Sequence, residues 1–352
     1  VILFSGGFPI DRPVNGYRYA QLPPTRAVEQ DFTRLVDEQG EPVDDHWRRE
    51  RRESLLQQVR EFMPDLLITE TFPFGRRQFR FELEPLISWA HEQPSLYLVA
   101  SIRDVLQRRS SIRDRQTVET LKQYYDAVLV HADQALFRLD ASFPLSHEIE
   151  NYLLYTGYIY QQDTGMTEHE RRAHARADRE GEGWHEVIVS GGSGTVSARL
   201  LETAKRARSL SSASNRVWRL LAGRARSGPA EETGKGIITE PNRPDFYSLL
   251  CRCELSISQA GYNTTLDVLS SGTRSVMVPF AGDGETEQTD RAQALQRAGR
   301  LLTVAEADLS PQRLAHAVDR ALERRPVELD INFDGAQRSA QILMQKMNEW
   351  RN

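Results

Sequence analysis

Short apolar segments alternate with longer amphipathic or charged segments along the first half of the chain. The apolar segments stay apolar through their middle, which is typical of strands buried on both faces of a parallel sheet. The predicted strands are Val1–Phe4, Leu66–Thr69, Leu96–Ala100 and Ala127–Val130, and the predicted helices lie near 43–62, 79–91 and 113–125. Because strands and helices alternate, we predict βαβ units that form an open, doubly wound parallel sheet.

A polar, charged segment at about 164–182 interrupts this pattern, and we predict a linker there, or an exposed helix that continues a linker. After it the alternation restarts, and a final helical stretch covers Gly335–Trp350. The predicted strands of the second half are Val187–Val189, Val217–Leu221, Gly236–Thr239, Leu255–Ile257 and Ser275–Val278, and the predicted helices lie near 196–209, 244–252, 263–271, 286–298 and 310–324.

The two halves predict an α/β protein with two domains that face each other across a cleft. We expect the first domain at residues 1–160, a linker at 161–184 and the second domain at 185–333. The C-terminal helix at 334–352 can then pack back on the first domain. Ligands of such folds bind beyond the carboxyl ends of the strands, so candidate chemistry is expected there.

Composition supports two domains and excludes several classes of protein. The chain has 352 residues, of which 39% are hydrophobic, which is enough for two cores at about 150 residues per domain. It contains no apolar run of about 18 residues, the length that crosses a membrane. The formal net charge of −5 argues against a general nucleic-acid partner. Val1 opens the chain inside a predicted strand, so we expect upstream residues to be missing.

The two cysteines, Cys251 and Cys253, are separated by one residue. They exclude a disulfide framework and favour a reducing compartment, so a cytoplasmic location is predicted. A closed zinc site needs four ligands, and no nearby cysteine or histidine completes one. We therefore predict two helix residues here, no metal and no cofactor.

The strongest local signal is a strand that enters a glycine-rich turn before a helix, where residues 187–195 read VIVSGGSGT. Glycine lets the backbone approach a ligand closely, and a helix N-terminus offers free N–H groups and the positive end of the helix dipole. This arrangement predicts an anion site, for which diphosphate is a common ligand. The alternative is a tight turn that needs glycine for its geometry alone. The turn matches neither the GxGxxG fingerprint nor the GxxxxGK[ST] loop.

A second strand–turn–helix segment covers 256–267 and reads SISQAGYNTTLD. Asn263 or Thr264 can cap its helix. Asp267 lies one turn further, where its carboxylate can accept hydrogen bonds from a ribose diol. The alternative is that Asp267 only complements the helix dipole.

A third turn, at 279–288, follows a predicted strand and reads PFAGDGETEQ. Glu287 and Gln288 have the hydrogen-bonding capacity to hold sugar hydroxyls. The alternative is that Glu285 and Glu287 are ordinary acids of a helix N-terminus. Since all three turns follow predicted strands of one half, we expect them to converge on one cleft.

The ordered set of GGSG after a strand, QAGYNTTLDVLSSG, and VPF followed by ETEQ resembles the carboxyl-terminal domain of MurG-like glycosyltransferases. The resemblance is clearest over about 185–325, and YTGY at 155–158 matches a TG turn that closes the family's amino-terminal domain. It implies the GT-B fold, with two Rossmann-like doubly wound domains around a cleft. It also implies a hexosyltransferase (EC 2.4) that needs no metal held by the protein.

The resemblance further implies which residues bind the donor. The glycine turn would face the diphosphate, and Asp267 would hold the ribose where MurG proper has glutamate. Glu287 and Gln288 would contact the sugar where the family has two glutamines, and 240–246 would read the base. The full predicted donor set is Gly191, Gly192, Ser193, Gly194, Arg243, Gln259, Gly261, Asn263, Thr264, Asp267, Glu287 and Gln288. Because Asp267 and Glu287 differ from the residues that the family has at these positions, the donor's base and sugar stay open.

The first half departs further from the family, whose members begin with a strand and a glycine-rich loop containing histidine. No GGxGGH sequence is present, and residues 1–7 resemble the family's second strand. The catalytic base is therefore not assigned. Three side chains after predicted strands are candidates. Glu70 could face the cleft, Arg103 could hold an anionic acceptor or pair with Asp104, and His131 could be a general base or a structural histidine.

We therefore predict a glycosyltransferase that moves a sugar from a nucleotide-diphosphate donor, with a UDP-sugar expected, to an unknown hydroxyl acceptor. The resemblance favours inversion. Other hypotheses keep the fold: a nucleotide-sugar hydrolase or epimerase, or a non-catalytic nucleotide-sugar-binding protein. The acceptor can be a small molecule, a glycan or a lipid-linked molecule.

Only four of the 45 basic residues are lysine. The arginine-rich clusters Trp47–Arg52 and Arg76–Arg80 are predicted to be solvated faces. If the acceptor is lipid-borne, these clusters could instead meet anionic lipid headgroups, which would make the protein peripherally membrane-associated.

Overall fold

The computed structural model describes residues 1–9, 16–28, 31–160, 168–178, 181–191, 197–223 and 231–351. The strands are β1 Ile2–Ser5, β2 Arg18–Gln21, β3 Arg26–Val28, β4 Asp31–Val36, β5 Leu66–Glu70, β6 Tyr97–Arg103, β7 Ala127–His131, β8 Leu153–Tyr155, β9 Val187–Ser190, β10 Trp218–Leu221, β11 Glu231–Gly234, β12 Ile237–Glu240, β13 Leu255–Ser258, β14 Ser275–Met277 and β15 Leu302–Thr303. The helices are α1 Asp45–Phe62, α2 Arg80–His91, α3 Ser111–Tyr124, α4 Glu168–Ala177, α5 Ser197–Arg208, α6 Phe246–Arg252, α7 Tyr262–Ser271, α8 Glu287–Arg297, α9 Pro311–Glu323 and α10 Gly335–Arg351.

The second half of the chain forms a seven-stranded sheet in the order β11-β12-β10-β9-β13-β14-β15. All neighbours are parallel except β11, which pairs antiparallel with β12. The six parallel strands follow the order of a Rossmann fold, which reverses between β9 and β13. Val187 and Val189 pack against the face that α5 and α9 cover, whereas Ile188 packs with Leu249 on the other face. Burial on both faces explains why these strands are continuously apolar.

The first half forms a four-stranded parallel sheet in the order β5-β6-β7-β8. Val128 and Val130 belong to a large apolar cluster on one face. On the other face, Val99 and Leu129 pack in one cluster with Leu343 of α10. The C-terminal helix therefore covers the sheet of the first half, although it follows the second half in sequence.

The first predicted strand is formed, but it does not join this sheet. Strand β1 pairs in parallel with β2 in a separate two-stranded sheet. Phe4 packs there against Leu22, Leu55 and Val59, so β1 is held by α1 and by the chain after β2. Our expectation that Val1–Phe4 belongs to the main sheet is therefore wrong.

The expectation of a solvated arginine face is also wrong for Arg51, which is only 2% exposed. Its guanidinium forms an ion pair with Glu82, with 2.6 Å between Arg51 Nε and Glu82 Oε2. It also donates to the carbonyl oxygens of Gly6 and Pro23. A Cβ at Gly6 would overlap this guanidinium, so a larger residue there would have to displace it. Arg51 thus links α1 and α2 to the segment that carries β1.

The chain leaves the first sheet through the predicted TG turn. Gly157 has a φ of 79°, a conformation that favours glycine, and a Cβ there would lie 2.8 Å from the carbonyl oxygen of Asn332. Tyr158 N–H donates to that same oxygen at 2.8 Å. The outgoing chain therefore runs beside the segment that returns to α10. Within the predicted linker, the structure shows the helix α4. None of the described helices has the length and hydrophobicity that a membrane crossing requires.

Candidate active site

A cavity of about 530 Å³ opens at the carboxyl ends of the parallel strands of the second sheet. Ser190 ends β9 and Leu221 ends β10, while further lining residues follow β12, β13 and β14. Because the strand order reverses between β9 and β13, this is the edge where ligands of such folds bind. Two larger cavities, of about 700 and 670 Å³, contain none of the predicted site residues.

The cavity brings together six predicted donor-binding residues, namely Arg243, Gln259, Gly261, Asn263, Thr264 and Gln288. The second and third predicted turns therefore meet in one hollow. The first turn approaches it through Ser190, the neighbour of the buried Gly191. The predictions on Gly192, Ser193 and Gly194 lie outside the described residues.

The N-terminus of α7 faces this cavity. Gly261 is the N-cap residue, and no side chain forms a capping hydrogen bond, so the prediction that Asn263 or Thr264 caps the helix is wrong. A Cβ at Gly261 would have no neighbour within 4 Å, because the turn faces open space. The first N–H groups of α7 and the positive end of its dipole are therefore suited to an anion in the cavity.

Gln288 joins two of the turns, whereas Glu287 points elsewhere. The N–H groups of Ala260 and Phe280 donate to Gln288 Oε1 at 3.1 and 3.2 Å. This leaves the Nε2 amide N–H groups of Gln288 as the donors that can reach a ligand. The Glu287 carboxylate accepts a hydrogen bond from Arg291 at 2.7 Å and does not line the cavity. Of the predicted sugar-binding pair, the structure places only Gln288 in the cavity.

Asp267 lies one turn beyond the lining residues of α7. It follows Asn263 by four positions, which places both on one helix face, but it does not line the cavity. Tyr160 O–H donates to Asp267 Oδ1 at 2.6 Å. Burial raises the pKa of the Asp267 carboxyl. The ribose role of Asp267 stays a prediction, and the structure adds Tyr160 as its partner.

Neutral groups dominate the end of the cavity near β10 and β12. Leu221 and Phe246 present apolar surface beside Asn242, a combination that suits a nucleobase. Arg243 also lines this end, but Asp245 holds its guanidinium through two hydrogen bonds of 2.8 Å. These bonds lower the pKa of the Asp245 carboxyl. The positive charge of Arg243 is therefore already neutralised within the protein.

The first sheet supplies one side chain to the cavity, Arg103 at the end of β6. Glu70 ends β5 but is exposed, with its carboxylate 3.6 Å from the guanidinium of Arg76. It does not line the cavity. Among the three candidates of the first half, only Arg103 is placed to meet a ligand there.

His131 is buried, and both of its ring nitrogens have partners. Thr156 Oγ1 lies 2.9 Å from Nδ1, and Ser101 Oγ lies 2.8 Å from Nε2. Because Thr156 donates its own proton to the Gly157 carbonyl at 2.8 Å, it accepts from Nδ1–H, and Ser101 then donates to Nε2. Burial lowers the pKa of His131 to about 4. A weakly basic, fully bonded imidazole fits the structural alternative better than a general base.

A buried ion pair that the sequence did not predict joins the two halves. Arg291 of α8 donates to Asp104 through bonds of 2.9 and 2.8 Å, and both side chains are 1% exposed. Arg291 also donates to the Ala260 carbonyl at 2.9 Å. The spacing of four residues between Glu287 and Arg291 is a signal for their helical pair. No local signal points to Asp104, and its expected pairing with Arg103 is wrong.

Two further predictions concern metals and cysteines. Cys251 lies in α6 and Cys253 is its C-terminal cap, where burial raises the pKa of the Cys253 thiol to about 12. In the part of the chain that the structure describes, no three His, Cys, Asp or Glu side chains are grouped to hold a metal ion.

Residues 234–341 match the sequence model of the glycosyltransferase family 28 C-terminal domain. The predicted resemblance to MurG-like glycosyltransferases is confirmed. Similar curated proteins are UDP-N-acetylglucosamine–N-acetylmuramyl-(pentapeptide) pyrophosphoryl-undecaprenol N-acetylglucosamine transferases. The one from Thermotoga neapolitana is 26% identical over 92 residues, 26% of this chain and 27% of that protein. The one from Gloeobacter violaceus is 39% identical over 75 residues, 21% of each. The chain thus spans less than a third of the length of these relatives.

Solved structures of GT-B glycosyltransferases are similar over nearly the whole chain. MurG of Acinetobacter baumannii matches with a TM-score of 0.56 and 12% identity, over 94% of this chain and 85% of that one. The calicheamicin glycosyltransferase CalG4 matches with a TM-score of 0.54 and 13% identity, over 94% and 82%. At such low identity the likeness concerns the fold, and the predicted GT-B fold is confirmed.

Proposed function

We propose that the protein is a glycosyltransferase that moves a sugar from a nucleoside-diphosphate donor, with a UDP-sugar expected, to a hydroxyl acceptor. The observation that carries this proposal is the cavity at the reversal point of the second sheet. Glycine turns, amides, hydroxyls and arginines line it, and none of its described lining residues is acidic. Such a lining suits an anionic ligand. The family match and the names of the curated relatives support the same reaction class.

In this proposal the diphosphate lies at the N-terminus of α7, close to the turn that follows Ser190. The N–H groups and the helix dipole there would stabilise negative charge as it develops on the leaving group. The base would lie against Leu221 and Phe246, and the sugar would approach the side-chain amide of Gln288. Asp267 would meet the ribose from one turn further along α7.

The reaction would be a single displacement with inversion. An acceptor oxygen forms a bond to the anomeric carbon, and the bond from that carbon to the diphosphate oxygen breaks with its electron pair. The acceptor proton passes to a base that stays unassigned, and His131 is disfavoured for this role. Because the cavity is lined from both sheets, closure around the donor would exclude water and limit hydrolysis.

The acceptor class stays open within this proposal. The curated relatives carry the name of a lipid-linked acceptor, whereas CalG4 is named for calicheamicin. We propose a cytoplasmic location, with peripheral membrane contact if the acceptor is lipid-borne.

The proposal can be tested by incubating the protein with UDP-, GDP- and TDP-sugars, with and without a panel of hydroxyl acceptors. Transfer predicts nucleoside-diphosphate release that depends on the acceptor, and a product whose anomeric configuration, read by NMR, is inverted. Free sugar without an acceptor would indicate a hydrolase, and an altered donor sugar would indicate an epimerase. Binding without turnover under any condition would leave a nucleotide-sugar-binding protein, and absence of binding at millimolar donor would contradict the site.

A further inference from the structure

Arg103 is the point at which the first sheet enters the cavity of the second. It ends β6, its side chain is exposed, and it lines the cavity together with the turns after β12, β13 and β14. Its guanidinium carbon lies 5.2 Å from the centre of the Tyr262 ring. Tyr262 is the first residue of α7, so the cation lies beside the helix N-terminus that faces the cavity.

No carboxylate of the described residues forms an ion pair with Arg103. Its neighbour Asp104 is committed to Arg291, with 2.8 Å between Arg291 Nη2 and Asp104 Oδ1. The cavity lining contains no other candidate, because none of its described residues is acidic. Arg243, the second arginine of the lining, differs in this respect, since Asp245 and Glu182 pair with it. Arg103 therefore provides the unneutralised positive charge of the lining.

The loop after β6 is fixed on the second half, which keeps Arg103 in place. Besides the Asp104–Arg291 pair, Thr286 N–H donates to Gln107 Oε1 at 2.9 Å. Arg108 forms a two-bonded ion pair with Asp290, at 2.9 and 3.0 Å. Three residues within the five positions after Arg103 thus contact α8 or its N-cap. These contacts fix the backbone that carries Arg103 before any ligand arrives, which limits the entropy lost on binding.

We propose that Arg103 binds the diphosphate of the donor and stabilises its charge as it leaves, from the sheet opposite the glycine turns. This inference rests on the proposed function. When the bond between the anomeric carbon and the diphosphate oxygen breaks, the electron pair stays on that oxygen, and its negative charge increases. A guanidinium meets phosphate oxygens with two parallel N–H donors. Arg103 keeps its proton throughout, so it acts by charge and hydrogen bonding alone.

The position of Arg103 distinguishes this role from the binding of an anionic acceptor. Arg103 lies over Tyr262, at the helix terminus where the proposal places the diphosphate. It would supply a full charge opposite the partial charge of about +0.5 that a helix N-terminus provides.

The test compares the wild type with Arg103→Gln, Arg103→Lys and, as a control, Arg60→Gln, which changes an exposed arginine of α1. Calorimetry with UDP, UMP and uridine (or the matching series for the base that the wild type prefers) separates the phosphate contribution from that of the base. For Arg103→Gln we expect diphosphate affinity to fall about 10- to 100-fold and nucleoside affinity to change less than about twofold. We also expect kcat to fall about 100-fold or more, because the interaction strengthens in the transition state. Arg103→Lys should recover part of both losses, and Arg60→Gln should match the wild type.

The outcomes separate this role from the proposed function. A wild type that binds no nucleoside diphosphate would overturn both. A wild type that binds one, with an unchanged ratio of diphosphate to nucleoside affinity in Arg103→Gln, would overturn only the role of Arg103. An Arg103→Gln protein that loses only acceptor affinity would likewise overturn it and assign the arginine to the acceptor. Because Arg103 is exposed, circular dichroism should show that the variant folds as the wild type does.

Discussion

The carboxyl ends of the two parallel sheets present different chemistry. In the second sheet, the last residues of two strands and the segments that follow three others line one cavity with turns, amides and hydroxyls. In the first sheet, β5 and β7 end in an exposed Glu70 and a buried His131, and only Arg103 of β6 reaches that cavity. The second half therefore positions ligand groups through its own turns. The first half contributes through its packing against the second.

The strongest test of this comparison removes the buried link between the halves. Asp104→Ala would leave the Arg291 guanidinium buried without its main partner. We expect the free energy of unfolding to fall by about 3–5 kcal/mol, measured by chemical denaturation. The control is Asp104→Leu combined with Arg291→Met, which replaces both charges by apolar groups and should cost less than the single change. A single variant as stable as the wild type would show that the halves are held together by other contacts.

The second test asks whether His131 is structural. Its pKa is lowered to about 4, so between pH 4 and 6.5 the unfolded state binds more protons than the folded state. The contribution of His131 to stability should therefore rise with pH across this window, by about 3 kcal/mol in total, and be constant above it. His131→Asn should lose this dependence, whereas the exposed His174→Asn should keep it, as measured by denaturation at several pH values.

The same variant also bears on catalysis. If His131 is not the base, turnover by His131→Asn should stay within about tenfold of the wild type at a temperature where it is folded. A general base would contribute roughly 100- to 10,000-fold. A loss of turnover of that size, without a change in the pH dependence of stability, would show that His131 at the end of β7 acts as the catalytic base.

The third test concerns the boundary of the donor site on α7. Asp267→Ala should weaken nucleotide binding by about 1–3 kcal/mol if the carboxylate holds the ribose. Tyr160→Phe removes the hydrogen bond to Asp267 but keeps the carboxylate, so it should change the affinity much less. Calorimetry with the preferred nucleoside diphosphate measures both. Equal losses, or an unchanged affinity in Asp267→Ala, would show that Asp267 only anchors Tyr160.

The smallest expected effect belongs to Glu70. Its exposed pairing with Arg76 should contribute under about 0.5 kcal/mol, so Glu70→Ala should match the wild type in stability and in turnover. Arg76→Ala provides the matched control for the ion pair. A loss of turnover in Glu70→Ala alone would show that a catalytic carboxylate of the first sheet lies outside the cavity described here.

Hydrophobic periodicity was sufficient for the strands that are buried on both faces. In β7, Val128 and Val130 pack on one face and Leu129 on the other, which produces an uninterrupted apolar run. Strand β2 reads Arg18–Gln21 and is half-buried or exposed, so it lacks such a run and was not predicted. The separate sheet of β1 and β2 could not be predicted for the same reason.

The candidate site likewise contains residues that the local sequence predicts and residues that it does not. Gly261 and Gln288 were predicted because turn chemistry and helix starts are encoded locally. The Asp104–Arg291 pair joins residues 187 positions apart, and no local pattern encodes it. Once Arg291 takes Asp104, the expected Arg103–Asp104 pair cannot form, and Arg103 becomes available to a ligand. The role of Arg103 therefore depends on tertiary packing.

The central claim is that a nucleoside diphosphate binds in the cavity beside α7, and calorimetry on a cavity-filling variant tests it most directly. A side chain at Gly261 meets nothing within 4 Å, so Gly261→Leu should fold and occupy the cavity, and Gly7→Leu is an equally open control position. We predict that the wild type and Gly7→Leu bind one nucleoside diphosphate per chain, and that Gly261→Leu binds it at least about 100-fold more weakly. Binding of equal strength to Gly261→Leu, or no binding of UDP, GDP or TDP to the wild type at millimolar concentration, would contradict the claim.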